Sequence, residues 1–214
     1  MNDPARVVAA GYDEVADRYV ALEGESGSWP RTRHVEELAE RLPRGAAVLD
    51  LGCGNGVPVA VELAEAGFDV TGVDVSPEQV RRAWSAVPAG MFLVADMLSA
   101  ELPEEAYDAV VSTYAIDHVP RERHLEVFRL IHGWLRPGGL ALVAIEDDDQ
   151  PGAVGEWLGA TMFFSTNEAP VTVALLERAG LRVLESAVET QVEQGVDVAY
   201  TWVLAQRPDY DQLC

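Results

Sequence analysis

Val48-Leu49-Asp50-Leu51-Gly52-Cys53-Gly54-Asn55-Gly56 decides the fold of this 214-residue chain. Val48, Leu49 and Leu51 read as a short buried strand. The glycines then let the backbone turn sharply and lie close to a ligand, with no Cβ to clash. Val59 to Ala66 has helical composition and stops at Gly67. Strand, glycine loop and helix is the geometry in which loop amides and a helix start face a bound molecule. The strict G-x-G-x-x-G is not met, because Val57 and Pro58 follow Gly56, and no G-K-[ST] follows either.

Outward from this stretch the pattern alternates. Phe68 to Asp74 reads as a second parallel strand. Asp74 falls about 20 residues beyond the loop, where a carboxylate can accept both hydroxyls of a ribose. Ser76-Pro77-Glu78 caps and opens a helix to about Val87. Met91 to Ala95 is a third strand, followed by Asp96-Met97. Ala106 to Thr113 is a fourth, with the near-continuous apolar run of a strand buried on both faces. A helix over Arg121 to Leu135 buries Leu125, Phe128 and Ile131, and Arg136-Pro137-Gly138-Gly139 turns it into a fifth strand, Leu140 to Ile145. Pro151 to Thr166 reads as a loop. Glu168 to Ala179 is the last helix, and Leu181 to Val188 and Val196 to Ala205 are strands joined by Glu193-Gln194-Gly195.

Upstream, residues 4 to 22 form an amphipathic helix with Val8, Tyr12, Val15 and Tyr19 on one face. Gly11 weakens it and marks a candidate break. Gly24 to Ser28 reads as a hinge, and Trp29-Pro30 starts a second helix through Leu42. Arg31, Arg33 and His34 sit near its start, where positive charge opposes the helix dipole. A ligand carboxylate nearby would account for that; an ordinary solvated face is the favoured reading.

The D-x-G-x-G-x-G run of Asp50 to Gly56 resembles the first motif of the class I S-adenosylmethionine-dependent methyltransferases. Y-D-x-x-A-x-x-Y over Tyr12 to Tyr19, the Tyr107-Asp108 strand opening and Leu135-Arg136-Pro137-Gly138-Gly139 resemble further features of that family. The resemblance implies an α/β, Rossmann-like sheet of seven strands in the order 3-2-1-4-5-7-6, the last antiparallel, with helices on both faces. It implies a helical lid over residues 1–45 and a cofactor-binding domain over 46–214, with a substrate loop at about 146–167. Contacts to S-adenosylmethionine are implied for Asp50, Gly52, Cys53, Gly54, Asn55 and Gly56 of the loop. Asp74 and Val75 fall at the ribose, and Asp96 and Met97 at the adenine. Tyr12 and Tyr19 belong to the lid, and Thr113 and Tyr114 to the end of the fourth strand.

The residues after that strand are where chemistry is sought, because ligands bind at the carboxyl ends of strands in open α/β sheets. His118 is the candidate base, since a neutral imidazole near pH 7 can take a proton from a hydroxyl or amine. Packing and loop shaping is the competing role, and Asp117 could orient His118 or hold a substrate amine. Trp29, Trp157, Met162, Phe163 and Phe164 are the candidate substrate wall. The region from Gly155 to Pro208 resembles a bacterial group of small-molecule methyltransferases. Where that group has Ser-His-Phe, this chain has Ser165-Thr166-Asn167.

The implied reaction is transfer of the S-adenosylmethionine methyl group to a small acceptor, through O or N, by direct displacement, leaving S-adenosylhomocysteine. The sulfonium is already activated, so alignment is the main requirement. A non-methylating reaction such as cyclisation, or a binding module without turnover, stays open beside it.

Charge narrows the partners. With 15 Lys+Arg against 36 Asp+Glu the net charge is −21, which repels nucleic-acid phosphates and anionic membranes alike. No apolar run reaches membrane-spanning length and no signal-peptide pattern opens the chain. Two cysteines make no disulfide framework. A soluble cytoplasmic protein is the expectation. Glu146-Asp147-Asp148-Asp149 reads as a solvated loop or an attraction for a cationic substrate rather than a metal site. No heptad or exposed apolar strip marks an oligomer interface.

Overall fold

The computed structural model describes residues 3–25 and 30–209. Trp29, and Ser26 to Ser28 of the expected hinge, lie outside them. Strand β1 (Ala47–Leu51) pairs in parallel with β2 (Asp69–Asp74) on one side and with β4 (Tyr107–Thr113) on the other. Beyond them lie β3 (Met91–Val94) and β5 (Leu135–Glu146), also parallel. The last hairpin, β8 (Arg182–Glu193) and β9 (Val196–Gln206), adds β9 antiparallel to β5. The sheet order is β3-β2-β1-β4-β5-β9-β8. That is the expected 3-2-1-4-5-7-6 once two extra strands outside the sheet are counted.

Those extra strands are the first correction. The stretch expected as a loop contains β6 (Ala153–Trp157) and β7 (Ala160–Phe164), an antiparallel hairpin turned by Leu158 and Gly159. Both turn residues have positive φ, 50° and 79°, which matches the twist of a two-residue hairpin.

Helices cover both faces of the sheet. On one side α2 (Pro30–Ala39), α3 (Val59–Glu65) and α4 (Pro77–Ala86) bury Val35, Leu38, Leu63 and Val80 against Trp202 and Leu142. On the other, α5 (His124–Trp134) and α6 (Ala169–Arg178) bury Phe128, Ile131 and Leu176 against Leu49, Leu51 and Val143. Each such side chain taken from water contributes about 1.5–3 kcal/mol. The helix expected from Arg121 begins instead as a 3₁₀ turn, Arg121–Arg123. Arg136 to Gly139 is a bulge within β5, whose pairing jumps from Leu135↔Tyr107 to Leu140↔Ala109.

The N-terminal helix α1 (Pro4–Glu25) is continuous through Gly11, contrary to the expected break. A Cβ at Gly11 would meet the Thr161 carbonyl oxygen at 2.7 Å and Met162 Cε at 2.8 Å. Glycine is there because β7 passes at contact distance. No described helix is long and apolar enough to cross a membrane.

Candidate active site

The carboxyl ends of β1, β2 and β4 converge on one pocket. Gly52 N–H (2.7 Å) and Cys53 N–H (3.0 Å) both donate to the Val73 carbonyl, which ties the glycine loop to β2. Gly52, Gly54 and Gly56 have φ of 81°, 51° and 83°, a region that side chains with a Cβ rarely adopt. Gly52, Cys53 and Gly54 line the pocket. Asn55 and Gly56, expected beside them, do not form its wall. Asn55 Oδ1 accepts the Val57 N–H at 2.8 Å and shapes the loop. Gly56 instead faces Ala83 of α4, whose Cα would lie 3.3 Å from an added Cβ.

Two buried carboxylates sit under the loop. Asp74 Oδ2 accepts the Gly54 N–H (2.9 Å) and Oδ1 accepts the Ser76 N–H (2.8 Å). Each oxygen keeps a lone pair for a further donor. Burial pushes Asp74 up to about 6 against the pull of those backbone bonds. Asp50 is 2% exposed, and its Oδ2 has no hydrogen-bond partner among the described residues. Burial pushes it up to about 7, with the nearby Arg31 charge opposing and Asp74 adding to the rise.

The sequence groups Arg31 with Arg33 and His34 on a solvated face. The structure splits the three. Arg33 and His34 reach Glu189 on β8, at 2.6 and 3.1 Å. Arg31 is 5% exposed and lines the pocket, its guanidinium 4.9 Å from the Tyr114 ring centroid. At the far end Val75, Asp96 and Met97 complete the wall, and Asp96 Oδ1 takes the Leu98 N–H at 2.9 Å. Thr113 lies in the wall between β1 and β4. Tyr12 and Tyr19 of α1 form the roof. The space is about 830 Å³ with the open solvent at its mouth included.

A second chamber adjoins the first and shares Tyr12, Tyr19, Tyr114 and His118 with it. Tyr114 has a φ of 58°, a strained setting for a bulky residue, of the kind that gathers at functional sites. Trp157 and Phe164 of the candidate substrate wall line this chamber. Met162 does not, being fully buried beneath Gly11. Phe163 contributes only its carbonyl, because its ring turns toward Gly152. Glu146, from the acidic run read as a solvated loop or an attraction for a cationic substrate, also lines the chamber, as do Glu193 and Tyr200, which no motif marks.

His118 and Asp117 do not form a dyad. His118 lies 2.8 Å through Nδ1 from the Phe163 carbonyl and 2.8 Å through Nε2 from the Tyr12 hydroxyl. A carbonyl only accepts, so Nδ1 carries the proton, and Nε2 accepts from Tyr12. Burial holds His118 down at about 4. Asp117 Oδ1 takes the Glu146 N–H at 2.9 Å, and burial pushes its carboxyl up to about 8. Among the described residues no group of three or more His, Cys, Asp or Glu is placed to hold a metal ion.

A family model described as a methyltransferase domain matches residues 48–139. The chain is 36% identical over 110 residues to 2-methyl-6-phytyl-1,4-hydroquinone methyltransferase of Synechocystis, covering 49% of this chain and 33% of that one. It is 34% identical over 153 residues to 27-O-demethylrifamycin SV methyltransferase of Amycolatopsis mediterranei, covering 62% and 55%. The chain thus spans about half the length, or less, of these relatives. In fold it is similar to 1,6-didemethyltoxoflavin-N1-methyltransferase of Burkholderia thailandensis, solved with 1,6-didemethyltoxoflavin and S-adenosylhomocysteine. The TM-score is 0.75 at 20% identity, over 98% of this chain and 92% of that one.

Proposed function

We propose that the chain, whose residues 48–139 match a methyltransferase domain, is a class I, S-adenosylmethionine-dependent methyltransferase that transfers a methyl group to a small molecule held in the second chamber. The residues of the first pocket fit that cofactor. Asp74, with a lone pair open on each oxygen, suits a ribose diol, and Asp96 with Met97 suits an adenine edge and face. Arg31 suits the amino-acid carboxylate, and Asp50, with an unmatched buried oxygen, suits an amino group. The bound cofactor would supply a methyl group activated by its sulfonium.

The observation that carries this reading is the shared wall. Tyr12, Tyr19, Tyr114 and His118 belong to both spaces, so a molecule in one meets a molecule in the other across them. The protein's work is alignment, and holding two reactants in line is worth up to roughly 7–11 kcal/mol. His118 acts on Tyr12: it accepts the phenol's hydrogen bond, which fixes the hydroxyl oxygen at the junction of the two spaces. A histidine held near 4 is a poor base at neutral pH, so positioning is its role. A polyanion such as nucleic acid is disfavoured as the acceptor by the net charge of −21.

The test is calorimetric titration of S-adenosylmethionine and S-adenosylhomocysteine into wild type and Asp74→Ala. Micromolar binding in wild type, weakened at least about tenfold in the variant, is the expected result. Absence of binding to both ligands overturns the reading.

A further inference from the structure

The second chamber is lined by Asp117, Glu146, Asp148 and Glu193, and by no arginine, in a chain whose sequence contains no lysine at all. None of these four carboxylates forms an ion pair among the described residues. Glu193 Oε1 takes the Tyr200 hydroxyl at 2.8 Å and Gln191 Nε2 at 2.6 Å, and Asp148 Oδ1 takes the Asp149 N–H at 2.9 Å. Glu146 has no side-chain hydrogen bond among those residues. An acidic surface loop would explain Asp148 alone. It does not explain Asp117, which is 4% exposed, stands in the chamber wall and has one oxygen on the Glu146 N–H. Aromatic groups line the same chamber: Tyr114 and Tyr200 lie 4.4 Å apart between ring centroids, and Trp157 and Phe164 also stand in the wall. A chamber that holds one buried and two half-buried carboxylates together with aromatic rings is the environment that favours an organic cation.

We propose, resting on the methyl transfer argued above, that the acceptor is an amine that enters the chamber as an ammonium ion between the carboxylates of Asp117, Glu146 and Glu193 and the rings of Tyr114, Tyr200 and Trp157. The ammonium first gives one proton to a chamber carboxylate. Its freed lone pair then forms the bond to the methyl carbon, whose bond to sulfur breaks with the electron pair left on sulfur. Positive charge therefore moves from sulfur to nitrogen, into the carboxylate field, and preorganised charge of this kind lowers the barrier where charge develops. A carboxylate or phenolate acceptor would enter against that field.

The proton balance agrees with this occupant. Burial, then the charges of Glu146 on β5 and Glu193 on β8, hold the Asp117 carboxyl at about 8. Its other neighbours, His118 and the Tyr200 phenol, are uncharged at neutral pH. A cation in the chamber favours the ionised carboxylates, so its binding at pH 7 expels protons.

The test uses 2-phenylethylamine, 2-phenylethanol and phenylacetate, titrated calorimetrically into protein saturated with S-adenosylhomocysteine, in two buffers of different ionisation enthalpy. The amine is expected to bind at least about tenfold tighter than the alcohol and the acid, with net proton release. Glu146→Gln and Glu193→Gln should each weaken it about tenfold and leave S-adenosylhomocysteine affinity unchanged. Equal or tighter binding of the alcohol or acid, or no amine binding in protein that binds S-adenosylhomocysteine, overturns the proposal. Failure to bind S-adenosylhomocysteine overturns the methyl transfer instead, and the amine preference is then read on the free protein.

Discussion

A single methyl group at position 52 would obstruct the glycine loop. A Cβ built there falls 2.2 Å from Ala115 Cβ, and the backbone φ is 81°. Gly45 has a similar φ of 71° but nothing within 4 Å, so Gly45→Ala isolates backbone strain of about 1–3 kcal/mol. Gly52→Ala adds the collision with Ala115, costing roughly 1–3 kcal/mol more. It should therefore melt lower than Gly45→Ala and lose S-adenosylhomocysteine binding, which Gly45→Ala keeps. Equal melting temperatures and equal affinities would refute the contact. Residues of this kind are legible in the sequence, because Gly52, Asp74 and Asp96 are placed by spacing along consecutive strand ends. Arg31 is not. Helical position does not tell which of Arg31 and Arg33 turns inward, since the answer depends on α2 packing against α3 and β5, contacts between distant segments. His118 stands out in the sequence, but its partners Tyr12 and Phe163 are 106 and 45 residues away, and only they reveal it as a positioning group.

Among the elements, α1 makes its own anchorage explicit. Asp13 Oδ1 accepts the Ser76 hydroxyl at 2.5 Å and the Glu78 N–H at 3.1 Å, at the start of α4, and Asp17 pairs with Arg82 at 2.7 Å. Ser76 still caps α4 through the Gln79 N–H without this help. Asp13→Ala therefore loosens the roof rather than the sheet. The dissociation rate of S-adenosylhomocysteine should rise roughly tenfold while stability falls by about 1 kcal/mol. Stopped-flow dissociation alongside thermal melting checks this, and an unchanged off-rate would show that α1 does not control release. The helices and the seven sheet strands are legible from apolar runs and from glycine and proline stops. The β6–β7 hairpin escapes because its turn is Leu158-Gly159 rather than the Asn-Gly or Asp-Gly that usually announces one. Its strands are also short, with Val154 and Glu156 exposed, so no periodicity stands out.

For the whole molecule, the same acids that shape the two chambers set the response to pH. Burial raises Asp50 to about 7, Asp74 to about 6 and Asp117 to about 8, against about 3.9 in an unfolded chain. Through these three carboxyls the folded protein holds more protons than the unfolded one between about pH 4 and pH 8, while His118, His124 and His132, lowered by burial, hold fewer below about 6.5. Stability is then fully present below about 4 for these carboxyls and is lost as pH rises through their folded values. Every tenfold weakening of a buried acid corresponds to about 1.4 kcal/mol. Self-repulsion in a chain of net charge −21 acts in the same direction. The opposing carboxylates, Glu78 at about 2 and Glu126, are lowered by Arg81, Arg82 and Arg123, and their contribution disappears only below the ordinary glutamate range. The ligand-free protein should accordingly melt several degrees higher at pH 5.5 than at pH 8. Salt at high concentration should shrink the part due to surface charge and leave the part due to buried acids. Asp117→Asn, which removes the most raised of the three, should flatten the slope most at its alkaline end. A melting temperature that rises from pH 5.5 to pH 8 would mean that the buried carboxyls are ionised at little cost, and the chambers would then lack the electrostatic character that selects a cation.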